Sequence, residues 1–137
     1  MDTPQTIAES IVADARVIAI VGASPNPARP SYVVASYLIE HGFEVIPVRP
    51  KVREILGRKC YGSLEDILEK VDVVDVFRRP EACPDIARAA VSAGAGTLWL
   101  QEGIVSEEAA RIAREGGLRV VMDVCIKKVH AAQHRQS

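Results

Sequence analysis

Val17-Ile18-Ala19-Ile20-Val21 is an unbroken apolar run that leads straight into Gly22. A short run without polar alternation fits a strand covered on both faces, and such strands belong to parallel sheets flanked by helices. Comparable runs recur at Glu44–Val48, Val73–Phe77, Thr97–Leu100 and Arg119–Met122. Helical patterns lie between them, at Tyr32–Glu40, Ser63–Leu68, Pro84–Ala93 and from Ser106 to about Glu115. Gly42, Gly94 and Gly116-Gly117 stand where helices should stop. Thr6-Ile7-Ala8-Glu9 reads as a capping box, with Thr6 as N-cap of a helix over about 6–13. A tail over about 126–137 carries a last helix from Ile126 to about His134. Strands alternating with helices at these lengths predict a doubly wound α/β fold on a five-stranded parallel sheet.

The 137 residues suit one domain over 1–137, with 48% hydrophobic and 26% charged residues. A net charge of -1 leaves no broad electrostatic footprint for nucleic acid, so any anion site must be a local basic cluster. Cys60, Cys83 and Cys125 are odd in number and far apart, which argues against a disulfide framework or structural zinc and for a reducing cytoplasm. The first residues lack the basic and apolar segments of a signal peptide, and no stretch has membrane-spanning length.

In a doubly wound sheet the ligand crevice lies beyond the carboxyl ends of the strands. The first such end is Gly22-Ala23-Ser24-Pro25-Asn26-Pro27, which keeps only the first glycine of the dinucleotide fingerprint. Gly22 can make the tight turn, Ser24 offers a hydroxyl, Arg29 a guanidinium fork, and Ser31 lies at a helix start suited to an anion. The bland alternative is a proline-stiffened turn with Ser31 as a plain N-cap and Arg29 in solvent. The second end, Pro47-Val48-Arg49-Pro50-Lys51, carries two bases where NAD-binding domains carry an acid. That pattern favours a ribose with an extra phosphate, on the 2′ oxygen in NADP or the 3′ oxygen in coenzyme A; a solvated basic turn is the alternative. Phe77 could pack on an adenine, Arg78 or Arg79 could join the phosphate field, and Gly103, after Gln101, could let backbone approach a ligand.

These stretches together resemble the small stand-alone coenzyme A-binding proteins, relatives of the N-terminal domain of the succinyl-CoA synthetase alpha subunit. The resemblance rests on Ile18–Ser24 with Pro27, Arg29, Ser31 and Tyr32, on His41-Gly42-Phe43, and on Val45–Val48 with Pro50 and Lys51. It continues through Val71-Asp72, Val74–Pro80, Trp99–Gln101 with Gly103, Val120–Asp123 and Cys125–Lys127 with His130. It implies a Rossmann-like fold that binds coenzyme A or an acyl-CoA. Gly22, Ala23 and Ser24 would meet the pyrophosphate; Val48, Arg49 and Lys51 would flank the adenosine and its 3′-phosphate; Phe77, Arg78 and Gln101 would line the rest. Arg49 departs from the family's usual Asn, and Asp123-Val124-Cys125 and Lys128-Val129-His130 depart from its Asp-Arg-Cys and Ile-Glu-His.

No catalytic group stands out. Cys83 could approach a thiol-bearing tail as a mixed disulfide, but free cysteines are more often small buried hydrophobes. His130 and His134 have a spacing that can hold a metal on a helix, yet no third ligand is apparent. Asp72 and Asp75 are three apart on a strand, hence on opposite faces, which suits a cap or ion pair better than a carboxylate pair. The expectation is a binding module without chemistry of its own and with no recognisable protein-partner surface. Its rivals are an NADP-dependent or acyl-CoA-processing enzyme, with Tyr32 as proton donor, and a regulatory subunit responsive to coenzyme A.

Overall fold

A computed structural model describes residues 3–135; the first two and last two residues of the expected domain lie outside the described residues. The strands of the main sheet are β1 (Val17–Val21), β2 (Glu44–Val48), β5 (Val73–Val76), β6 (Thr97–Leu100) and β7 (Arg119–Val121). All are parallel, in the order β2-β1-β5-β6-β7. The helices are α1 (Pro4–Asp14), α2 (Pro30–Glu40), α3 (Cys83–Ser92), α4 (Glu107–Glu115) and α5 (Ile126–Arg135). The chain runs outward from β1 to β2, returns to the other side of β1, and continues outward through β5, β6 and β7. The direction of winding therefore reverses between β1 and β5, which makes their carboxyl ends the switch point.

β1 explains why its sequence is apolar throughout. Ile18 and Ile20 face a core built with α1, α2 and α5, where Ile11, Leu38, Ile126 and Val129 are buried. Ala19 and Val21 face the opposite core, where α3 and α4 contribute Ala87, Ala90, Ala109 and Ala113. Asp72 fixes the amino end, since its carboxylate accepts from the backbone N–H of Arg16 at 2.9 Å and of Val17 at 2.8 Å.

Local signals account for most boundaries. Ser106 caps α4 through Ala109 N–H at 3.1 Å, and Gly42 and Gly94 take the left-handed conformation after α2 and α3. α1 begins earlier than expected: its N-cap is Thr3, Thr6 is the reciprocal member of the capping box, and Pro4 opens the helix. The helix expected over Ser63–Leu68 shrinks to a 3₁₀ turn at Leu64–Asp66, with no cap bond from the Ser63 side chain. The sequence pattern also missed a hairpin, β3 (Glu54–Ile55) with β4 (Arg58–Lys59), closed by Leu56 and Gly57 at φ 54° and 73°.

Two titratable groups in the core have opposite tendencies. Asp75 sits between Ile20 of β1 and Trp99 of β6, fully buried, with no hydrogen-bond partner for either oxygen. Burial pushes its carboxyl well above the ordinary value of 3.8. His130 is 5% exposed and ringed by Tyr37, His41, Phe43 and His134, with its Nδ1 2.7 Å from Tyr37 Oη. Burial first, then the neighbouring His134 and His41 charges, hold it below the ordinary 6.5. The His130–His134 pair thus belongs to an aromatic cluster. Among the described residues no group of three or more His, Cys, Asp or Glu could hold a metal ion.

As pH rises past 3.8, the unfolded chain ionises Asp75 before the folded one does, so this carboxyl lowers stability progressively towards its raised folded pKa. Asp75→Asn should therefore gain steadily over the parent in urea unfolding as pH rises above the ordinary carboxyl range. An offset that does not grow with pH would contradict a neutral buried carboxyl. His130 acts from the other side. As pH falls past 6.5 the unfolded chain takes up its proton first, and the stability held above that value is lost. His130→Phe should flatten the acid limb of the unfolding midpoint; an unchanged slope below neutrality counts against this assignment.

Candidate functional site

The site is assembled where β1 and β5 end. Gly22 has φ 86°, and a Cβ there would lie 2.6 Å from the Phe77 carbonyl oxygen and 2.9 Å from Arg78 Cδ. Glycine is required both by backbone conformation and by the closeness of the neighbouring strand end. The Gly22 and Ala23 N–H groups both donate to the Val48 carbonyl, at 3.1 and 3.4 Å. Those two donors tie β1 to β2 instead of facing a ligand. Ser24 Oγ accepts from Asn26 N–H at 3.0 Å, which organises the loop and leaves the hydroxyl proton to donate outward. Arg29 occupies the N-cap of α2 without a side-chain cap bond, Pro30 starts the helix, and Ser31 is its buried second residue.

The crevice has two lobes, of about 690 and 840 Å³. Gly22, Arg49, Phe77 and Arg78 border both. Arg49 marks the divide: its guanidinium reaches from the end of β2 to the Ala23 carbonyl, Nη1 to O 3.2 Å. The first lobe adds Val48 and Lys51 from the second strand end; the second adds Ser24, Arg29, Ser31, Gln101 and Gly103. Of the residues expected at the site, only Ala23 lines neither lobe; it is buried and contributes its carbonyl to Arg49. Arg29, Arg49, Lys51, Arg78 and Arg79 supply a cationic field, although the whole chain carries a net charge of -1. Lys51 holds this place at φ 66°, an uncommon conformation for a residue with a Cβ.

Part of the lining was not foreseen. Gly62, Ser63 and Glu65 follow the hairpin, and Asp85 with Ile86 comes from α3, all on the first lobe. Gly57 was the signal for the hairpin, but Leu56-Gly57 lacks the Asn or Asp that usually announces such a turn. In the second lobe Val34, Ile104 and Cys125 were not foreseen. The turn before α5 is tied to the end of β6: Trp99 Nε1 donates to the Val124 carbonyl at 2.8 Å, Gly103 N–H to Asp123 Oδ1 at 2.7 Å, and Ile126 N–H to Gln101 Oε1 at 3.1 Å. Gly103 N–H is thereby occupied. Glu102, and more weakly Cys125, holds the Lys128 proton on above its ordinary range, with Nζ 3.0 Å from Glu102 Oε1.

The other cysteines are placed differently. Cys83 is fully buried against the α3–α4 core, its thiol 3.4 Å from the Arg79 carbonyl, and Cys60 points at the Arg49 carbonyl at 3.6 Å. Burial raises both thiols above their ordinary value. Tyr32 packs against the α1–α2–α5 core and borders neither lobe.

An open parallel sheet with a basic crevice at its switch point defines a doubly wound, Rossmann-like α/β domain. The chain belongs to the CoA binding domain family, whose sequence profile matches residues 16–131. It is 41% identical over 123 residues to the Bacillus subtilis (strain 168) protein YneT, covering 90% of this chain and 91% of the relative. A protein from Pyrococcus horikoshii OT3 superposes with a TM-score of 0.90 at 40% identity, over 93% of this chain and 90% of the other. An ADP-forming acetate–CoA ligase of Archaeoglobus fulgidus is 29% identical over 125 residues, which are 84% of this chain but only 18% of the ligase.

The Gly22 geometry makes a direct prediction. Gly22→Ala places a methyl group against the Phe77 carbonyl and should lower unfolding free energy by about 2–4 kcal/mol. Urea denaturation measures it, and a loss within experimental error would mean that the two strand ends separate freely.

Proposed function

We propose that this protein binds coenzyme A or an acyl-CoA across the two lobes, as a binding module with no reaction of its own. The adenosine and its 3′-phosphate lie in the first lobe against Arg49 and Lys51, and the pantetheine arm runs past Arg78 into the second. The observation that carries this reading is the position of Arg49, which borders both lobes and leaves a cationic group at their junction. A ligand with a diphosphate in its middle and a different group at each end suits that arrangement. Family membership and the likeness to the coenzyme A ligases support the choice of ligand. The ligases contribute only this comparison of one segment, and their reaction is not assigned to the chain. The position of Tyr32 in the core counts against the reductase alternative, which has no other proton donor in view.

Isothermal titration with coenzyme A, dephospho-coenzyme A and NADP separates these readings. Coenzyme A should bind tightest, and loss of the 3′-phosphate should cost about tenfold or more, as expected for a charge-assisted contact. Lys51→Ala should weaken coenzyme A by a similar factor and the dephospho form much less, whereas Arg49→Ala, which removes the cation at the junction, should weaken both. Equal affinity for coenzyme A and NADP, or for neither, overturns the proposal.

A further inference from the structure

We infer that the seat of the 3′-phosphate extends from Lys51 into a third cavity, formed by the β3–β4 hairpin and the end of β2, where Arg53 and Lys59 are further specificity-determining residues. This rests on the coenzyme A reading above and names the side chains that separate that ligand from its dephospho form. The cavity holds about 480 Å³. Arg49, Lys51 and Gly62 border it and the first lobe alike, so it adjoins the place given to the adenosine.

Charge marks this cavity out. Arg49, Lys51, Arg53 and Lys59 line it, and no acidic residue joins them. Other surface cations meet carboxylates: Arg88 meets Asp85, Arg111 meets Glu115 and Lys128 meets Glu102. Among the described residues none of the four cavity cations makes an ion pair. Glu54 stands opposite Lys59 in the hairpin register, yet the two form no ion pair; Lys59 Nζ lies instead 4.8 Å from the centre of the Tyr61 ring. A concave surface lined by one sign of charge focuses its field and concentrates counter-ions, so the cavity attracts an anion although the chain as a whole has a net charge of -1.

The backbone that carries these side chains is held in place. Arg49 N–H donates to the Tyr61 carbonyl at 2.8 Å, Tyr61 N–H to the Pro47 carbonyl at 3.0 Å, and Cys60 N–H to the Arg53 carbonyl at 2.8 Å. These bonds lay the hairpin along the end of β2 and bring Arg53 and Lys59 to the same cavity as residues 49 and 51. Lys51 keeps its position at the shared border in the left-handed region, at φ 66°. A phosphate monoester suits such a cluster, because near neutral pH it carries close to two negative charges and three acceptor oxygens. Coenzyme A has one such group, on the ribose beside the adenine, and its diphosphate stays at the junction of the two lobes.

Isothermal titration of the full chain with coenzyme A and with dephospho-coenzyme A tests this, and the ratio of the two affinities is the readout. Arg53→Gln and Lys59→Gln change exposed residues, and each should lower that ratio by about threefold or more by weakening coenzyme A alone. Arg114→Gln makes the same change of charge on α4, outside all three cavities, and should leave the ratio as it is. An unchanged ratio in either hairpin variant, equal weakening of both ligands, or a fall of the same size in Arg114→Gln overturns the inference. The parent keeps the two claims apart. Coenzyme A binding that the hairpin variants do not alter removes this seat alone, whereas no binding of coenzyme A removes the ligand on which both depend.

Discussion

The carboxyl ends of β1 and β5 approach so closely that no side chain fits between them at Gly22. A methyl group there would contact the Phe77 carbonyl oxygen and the Arg78 side chain together. This approach brings Arg78 to the first loop, and the paired donation of Gly22 and Ala23 N–H to Val48 brings in the end of β2. Once these ends are drawn together, Arg49 can reach the Ala23 carbonyl and divide the crevice. The glycine therefore has its first role in the packing of the protein on itself. Any ligand meets a surface that this packing has already shaped.

That order of dependence changes how the anion-binding elements are understood. In a glycine-rich dinucleotide loop, backbone N–H groups and a close backbone approach hold the pyrophosphate. Here the N–H groups of Gly22 and Ala23 are used between strands. Side chains take on a larger share: the Ser24 hydroxyl, the Arg78 and Arg79 side chains, and Arg49 at the junction all border the second lobe. In the proposed reading guanidinium groups take the part of those backbone donors, which fits a loop with one glycine and several prolines. Such a site also depends more on individual residues, because side-chain donors can be removed singly and backbone donors cannot.

The strands were legible because β1, β5 and β6 are buried on both faces and their sequences show it as apolar runs, broken only by Asp75 in β5 and opened by Thr97 in β6. The helix ends were legible wherever a glycine or serine marked them, as at Gly42 and Ser106. Thr3 was missed because its partner in the capping box is another threonine, Thr6, while Thr6 followed by Glu9 looked like the commoner pair. The hairpin was missed because each strand is two residues long, too short to show any period. The lining of the first lobe was missed with it, since Gly62 and Ser63 face the crevice only after that hairpin folds back. The strand-end residues with basic side chains were found because topology alone puts them at the crevice mouth.

Asp75 and Cys125 show what a pattern of residue types cannot convey. Both were visible as residues, one as half of an unconvincing carboxylate pair and the other as one of three scattered thiols. Their characters come from position. Asp75 is enclosed between Ile20 and Trp99, with no partner. Cys125 is turned to the crevice by contacts to Trp99, Gly103 and Gln101 from a different strand end. Strand β6 therefore closes the core over an unpaired carboxyl through Trp99, and Gln101, just past the strand's end, accepts from Ile126 N–H at the crevice. The apolar stretch Leu98–Leu100 followed at once by Gln101 thus joins the part of the protein that must exclude water to the open crevice.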